Sequence, residues 1–319
     1  MDGALAYECA VIGAGPAGLT AALYLARFHR SVVVFDGGRS RAQWIPESHN
    51  CPGFPGGISG EALLTRLRTQ LSVYEVPLRP TRVRELQKRD DRFVLVGNDG
   101  FVIKACKVLL ATGIVDELPN ADWVDAAIRV GALRLCPVCD GFEVSDRRIA
   151  AYGPSSATLA HAAFLRTYSS DVTLICSDAR PLETAEAERA AALGVRVIAK
   201  PRGVDFDGQR CVFATGDATF ETFDSVYAFL GCDAQSDLAR SLGAESDDVG
   251  QLRVGRDQMT SVDGLYAAGD VVSALHQISV AVGHSGVAAS AMHRALGRNL
   301  RRRHGEAMAA TNSSGQAAP

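Results

Sequence analysis

Glu8-Cys9-Ala10-Val11-Ile12-Gly13-Ala14-Gly15-Pro16-Ala17-Gly18 is the stretch that decides the fold. The apolar run Cys9 to Ile12 reads as a buried strand, and it enters a G-x-G-x-x-G turn. Leu19 to about Phe28 reads as a helix, and Ser31 to Phe35 as a second apolar strand ending in Asp36. That order is one β-α-β unit suited to a dinucleotide. The first glycine allows a tight turn, the second lets backbone approach a pyrophosphate, and the third lets helix and strand pack closely. The helix N-terminus offers free N–H groups to the phosphates. Asp36 accepts hydrogen bonds from a ribose and repels a 2′-phosphate, which selects FAD or NAD over NADP.

A second unit follows the same order. Arg148 to Tyr152 reads as a strand, Gly153 opens a turn, Ala157 to Tyr168 reads as a helix, and Asp171 to Cys176 as a strand closing near Asp178. Two such units suggest a duplicated nucleotide-binding architecture. The second loop is Gly153-Pro154-Ser155-Ser156-Ala157-Thr158, with Ser155 and Thr158 where small positions are needed. Its strand end, Cys176-Ser177-Asp178, carries no Arg or Lys to grip a 2′-phosphate. Tight NADPH binding is therefore not expected. A purely structural unit stays open, as does one taking NADH or a second FAD with Asp178 as the ribose acceptor.

Phe93 to Val96 and Phe101 to Ile103 flank Gly97 to Gly100, a hairpin signal. Val108 to Leu110 runs into Ala111-Thr112-Gly113. Cys211 to Ala214, Ser225 to Leu230, Gln251 to Val254 and Gly264 to Ala268 read as further strands, the last entering Gly269-Asp270. A helix of small residues spans about Ile278 to Leu296, and a polar tail from about 300 to 319 is expected to be disordered. The fold class expected is α/β, with two Rossmann-like three-layer nucleotide-binding domains, β/β/α or α/β/α.

The chain has 319 residues, more than one small core requires. Its net charge of −3, with no long basic run before Arg301 to Arg303, argues against nucleic acid as a partner. No apolar stretch reaches the about 18 residues of a membrane helix. Met1 to Ala10 lacks the basic start of an export signal, so a cytoplasmic location is expected.

Six of the eight cysteines, Cys9, Cys51, Cys106, Cys176, Cys211 and Cys232, stand singly and read as free thiols, most of them buried in strands. Cys136-Pro137-Val138-Cys139 is different. Half a zinc site would need a second pair of ligands, which the sequence lacks, so no metal is expected. Two cysteines at this spacing suit disulfide exchange, one forming a mixed disulfide and the other resolving it. Asp140 is placed to carry the proton this requires.

With these residues in view, the chain resembles the low-molecular-weight thioredoxin reductase family over about residues 6 to 297. The resemblance is carried by Gly13 to Gly18, Asn50 to Gly57, Ala111-Thr112-Gly113, Cys136 to Gly141, Gly269-Asp270 and His276-Gln277-Ile278. It implies a homodimer whose FAD domain is split, here 1–116 and 246–319, around an inserted NADPH-like domain, 117–245, carrying the cysteine pair. It also implies that Gly13, Gly15, Pro16, Ala17 and Gly18 hold the FAD pyrophosphate. Asp36, Gly37, Asn50, Val83, Ala111, Thr112 and Gly113 complete the cofactor set with Gly269, Asp270, His276, Gln277 and Ile278. Cys139 corresponds to the cysteine nearest the flavin, Cys136 to the one that exchanges with a partner, and Asp140 to the acid/base group.

The departures matter too. The basic pair that reads NADPH is absent, and His276 stands where the family has an arginine. Similar departures mark ferredoxin-linked, diflavin-linked and dithiol-oxidising relatives. The expectation is an FAD-dependent disulfide/dithiol oxidoreductase, not driven by NADPH, with flow from dithiol to flavin. The expected partner is a dithiol or disulfide substrate, a thioredoxin-like protein being the candidate. The alternatives are a thioredoxin reductase with altered nucleotide preference and a non-enzymatic flavin redox sensor.

Overall fold

The computed structural model describes residues 5–178, 180–273 and 275–300. The tail expected to be disordered lies almost wholly outside the described residues. Strand β1 (Leu5–Ile12) leads through the glycine turn to α1 (Pro16–Arg27) and β2 (Val32–Phe35). Helix α2 (Gly60–Ser72) follows, capped by the Ser59 hydroxyl, which accepts from the Ala62 N–H at 3.2 Å. Then come β3 (Leu78–Arg79), β4 (Val83–Arg89), β5 (Arg92–Gly97) and β6 (Val102–Leu110). The hairpin expected around Gly97 to Gly100 is β5–β6, and β6 joins two separately expected strands into one.

The second unit begins after β7 (Ile114–Asp116) with α3 (Val124–Arg129), β8 (Leu133–Arg134) and the short α4 (Pro137–Asp140). Strand β9 (Ile149–Gly153), α5 (Ser155–Leu165) and β10 (Val172–Cys176) form its β-α-β core. Helix α6 (Thr184–Ala192) and β11 (Arg196–Ile198) lead to the meander β12 (Gly203–Phe206), β13 (Cys211–Ala214) and β14 (Phe220–Phe223). Strands β15 (Ser225–Ala228) and β16 (Cys232–Ala234), helix α7 (Asp237–Arg240), β17 (Leu265–Ala267) and α8 (Ile278–Ala295) complete the chain.

Both units are built alike. In the first, parallel strands β3-β2-β1-β6-β17 form the middle layer. One face packs Val11, Val34 and Leu109 against Leu25, Leu64 and Ala288 of the helices. The other packs Ile12, Phe35 and Leu110 against Val83, Leu86 and Leu95 of the antiparallel β4-β5-β6 meander. In the second, parallel β11-β10-β9-β15-β8 lies between the helices and β12-β13-β14. Both are thus β/β/α, and the α/β expectation holds.

Gln251 to Val254 is not a strand: Leu252 makes only an isolated bridge to Ser246, between Gly250 and Gly255. The units are joined by the two-stranded ribbon β7–β16. Ala239 and Ala244 pack in the first unit's core, although both precede residue 246. We therefore propose β16, rather than residue 245, as the limit of the inserted domain. No helix among the described residues is long and apolar enough to cross a membrane.

Buried Arg30 ties the far end of α8 to β1. It donates to Glu8 Oε1 at 2.6 Å, His293 Nδ1 at 2.9 Å and the carbonyls of His293 and Gly297 at 3.1 and 2.7 Å. Arg30→Met orphans these acceptors and is expected to cost about 3 kcal/mol, since one partner of a buried ionic network is removed. Urea unfolding of the two proteins measures the difference.

Candidate functional site

Register creates the site. Ile12 lies level with Phe35 and with Leu110, and Leu110 with Ala267, so four strands end at one edge. The residues just beyond, Gly13, Asp36, Ala111 and Ala268 to Asp270, surround a cavity of about 650 Å³ there. Gly13 turns at φ +110°, and a Cβ on Gly18 would come within 1.8 Å of the Gly13 carbonyl oxygen. Helix α1 can start where it does only because both residues lack side chains.

Every cofactor and catalytic residue expected from the sequence lines this cavity, except Gly18, which packs helix against strand behind it. The cavity fits a dinucleotide on structural grounds. Among the described residues, a Cβ on Gly15 would meet Ser40 Oγ at 3.2 Å and nothing else within 4 Å, so the backbone is open to an approaching pyrophosphate. The Asp36 carboxylate accepts from the Gly38 N–H at 2.8 Å and from Arg68 at 3.1 Å, leaving lone pairs for ribose hydroxyls. The Thr112 hydroxyl is already used, donating to the Gln235 carbonyl at 2.6 Å.

Asp270 faces Arg41 at 3.8 Å, and Arg41 holds Asp116 through two bonds of 2.6 and 2.9 Å. Burial pushes the Asp270 carboxyl up and the His276 imidazole down. The two groups lie with Arg41 and Asp116 in one electrostatic cluster beside the cavity. The Arg41 bridge had no signal in the linear sequence, because Asp116 lies 75 residues away.

The disulfide Cys136–Cys139 opens onto the same cavity. Its sulfurs meet the first unit directly. Gln277 donates from Nε2 to both, at 3.3 Å each, and Asn50 donates from Nδ2 to the Val138 carbonyl at 3.1 Å. Asp140 sits behind the pair with both oxygens engaged. Arg134 Nη1 donates to one at 2.7 Å, and the Tyr227 hydroxyl to the other at 2.9 Å. Burial pushes the Asp140 carboxyl up, and Arg134 and Tyr227 oppose the shift. Tyr227 is 87 residues away in sequence, so spacing did not reveal it.

The second unit's loop is occupied by its own side chains. Ser155, fully buried, donates its N–H to Asp178 Oδ1 at 3.2 Å. Its hydroxyl lies against the same carboxylate and the Arg180 carbonyl. Asp178, the expected ribose acceptor, is thus held by the loop itself, and these bonds draw its carboxyl below the usual range. A second cavity, about 610 Å³, lies beyond β10 and β11 and includes Asp178, Arg180 and Lys200 but no loop residue from 153 to 158.

Two dinucleotide folds, with a disulfide presented by one into the cavity of the other, define a flavin-linked disulfide oxidoreductase. The comparisons agree: the family pattern "Pyridine nucleotide-disulphide oxidoreductase" matches residues 7–285, and the chain belongs to that family, in its low-molecular-weight thioredoxin reductase-like branch. It is 31% identical over 297 residues to a thioredoxin reductase of Mycolicibacterium smegmatis, covering 89% of this chain and 94% of that one. It is 27% identical to one from Streptomyces coelicolor, over 88% and 90% of the two chains. The crystal structure of HlmI superposes with a TM-score of 0.83 at 28% identity, over 92% and 93%.

Replacing Arg134 by Met leaves the Asp140 carboxylate half-paired and desolvated. The expected loss is about 2 kcal/mol at pH 8, less than for a fully buried pair because both side chains keep some solvent. Without Arg134 the carboxyl titrates still higher. Below that value it is neutral, so the loss should shrink as pH falls toward 5. Denaturant midpoints at the two pH values, with Asp140→Asn as the compensating second change, measure this.

Proposed function

We propose that this protein is an FAD-dependent dithiol–disulfide oxidoreductase that is not driven by NADPH and passes electrons from a substrate dithiol toward the flavin. The observation that carries this reading is the placement of Cys136–Cys139 in the dinucleotide cavity, held by Gln277, while the second unit's loop is filled by Ser155 and Asp178. Gly13, Gly15, Pro16 and Ala17 would hold the FAD pyrophosphate, Asp36 a ribose, and Asn50, Gln277 and Ile278 the flavin end. Bound there, the flavin supplies a two-electron acceptor beside the sulfurs.

The protein's own residues do the rest. A substrate thiolate bonds to Cys136 Sγ, the Cys136–Cys139 bond breaks, and its electron pair stays on Cys139 as a thiolate. The second substrate thiol then attacks the mixed disulfide, closing the substrate's disulfide and freeing Cys136. Asp140, whose carboxyl burial pushes up, exchanges protons with the pair. One flavin per chain is the favoured stoichiometry, since neither a second FAD nor NADH finds an open loop at Ser155. The expected setting is a cytoplasmic homodimer whose partner is a small dithiol or a thioredoxin-like protein.

A second reading is a pyridine-nucleotide-dependent thioredoxin reductase. It is favoured by the names of the relatives at 31% and 27% identity. Anaerobic spectroscopy separates the two. Under the first reading a dithiol bleaches the flavin and neither NADPH nor NADH does so at millimolar concentration. Rapid bleaching by either nucleotide establishes the second.

Cys139→Ser is expected to abolish dithiol-driven bleaching while leaving flavin content unchanged. Absorbance of the purified variant before and after dithiol addition gives both quantities.

A further inference from the structure

The two amides between the units have a fixed polarity. The Val138 carbonyl, inside the C-x-x-C turn, can only accept. Asn50 must therefore present Nδ2 to it, at 3.1 Å. The opposite end of the same amide, Oδ1, then accepts from the Ser48 hydroxyl at 3.1 Å. The Asn50 Nδ2 group also donates to Gln277 Oε1 at 2.9 Å. With its oxygen so engaged, Gln277 must turn its own NH₂ toward the sulfurs, 3.3 Å from each. The orientation of each amide thus follows from a backbone carbonyl rather than from choice.

We propose that Gln277 is a catalytic residue whose side-chain amide stabilises the thiolate released when the Cys136–Cys139 bond opens, and that Asn50 is the positioning residue that aims it. The inference rests on the reading of the pair as the redox centre and adds a second role for two residues that the cofactor assignment already uses. An N–H pointing at a sulfur is worth most when that sulfur is charged, because a hydrogen bond to an ion is stronger than one to a neutral atom. The amide therefore binds the opened, anionic state more tightly than the disulfide. Its two N–H groups reach both sulfurs, so it can follow the charge from one cysteine to the other without moving. The Cys139 N–H adds a fixed donor, 3.2 Å from Cys136 Sγ alone.

The test is the pH dependence of thiol alkylation in the reduced holoenzyme. The protein is reduced with excess dithiothreitol, freed of it without oxygen, and treated with iodoacetamide between about pH 5 and 10. Wild type should show a reactive thiol with a midpoint below the ordinary value of about 8.5. Gln277→Leu removes the donor. Asn50→Asp puts an acceptor beside Gln277, which turns the amide so that its oxygen faces the sulfurs. Both should raise the midpoint by about one pH unit, a tenfold loss of thiolate near neutral pH. Flavin absorbance is recorded for each protein, and a variant that loses flavin is compared with flavin-stripped wild type. Unchanged midpoints in both variants overturn the proposal, as does a wild-type midpoint at or above the ordinary one. A pair that dithiothreitol cannot reduce would instead overturn the functional reading itself.

Discussion

The alignment of parallel strand ends is the constraint on which the rest of this molecule depends. Ile12, Phe35, Leu110 and Ala267 finish level because β1 and β6 pair without slippage over their shared length. A slip of one residue would reverse which side chains face each layer, exposing Val11 or Ile12 to the wrong core. With the ends level, four loops converge on one cavity, which the start of α8, Val83 of β4 and the cysteine turn also line. The cavity is thus a property of the sheet edge, and the side chains around it tune a space the backbone has already made.

The second unit keeps the same kind of edge and lines its loop differently. Its strands align as well as the first unit's, with Gly153 level with Cys176 and Tyr152 with both Ile175 and Ala228. There Ser155 turns inward and binds the Asp178 carboxylate. The layers of this unit pack through Leu174, Leu159 and Phe213. The groups that pack the layers and the groups that line the loop are therefore largely different atoms.

Sequence revealed what local chemistry dictates. The glycine turn, the small-residue helix α8 and the cysteine pair announce themselves through backbone needs or through spacing. Strand β4 did not, because Val83, Leu86 and their neighbours carry a register shift between Val83 and Glu85 that breaks simple alternation. The site's charge network was equally hidden. Arg41 with Asp116, Arg134 and Tyr227 with Asp140, and Ser155 with Asp178 are contacts set by tertiary packing, and no spacing rule connects them. Gln277 lines the cavity, but a linear motif does not say where a side-chain amide points.

Helix α8 joins two of these features into a single lever. Gln277 stands at its N-cap, against the sulfurs, and Arg30 grips His293 and Gly297 at its other end. At 1.5 Å per residue the helix is about 27 Å long. A tilt of a few degrees about the clamped end would move the amide by more than an ångström, enough to lose a hydrogen bond. The alignment of a redox centre in one unit is therefore surveyed from a fixed point on the opposite flank of the other.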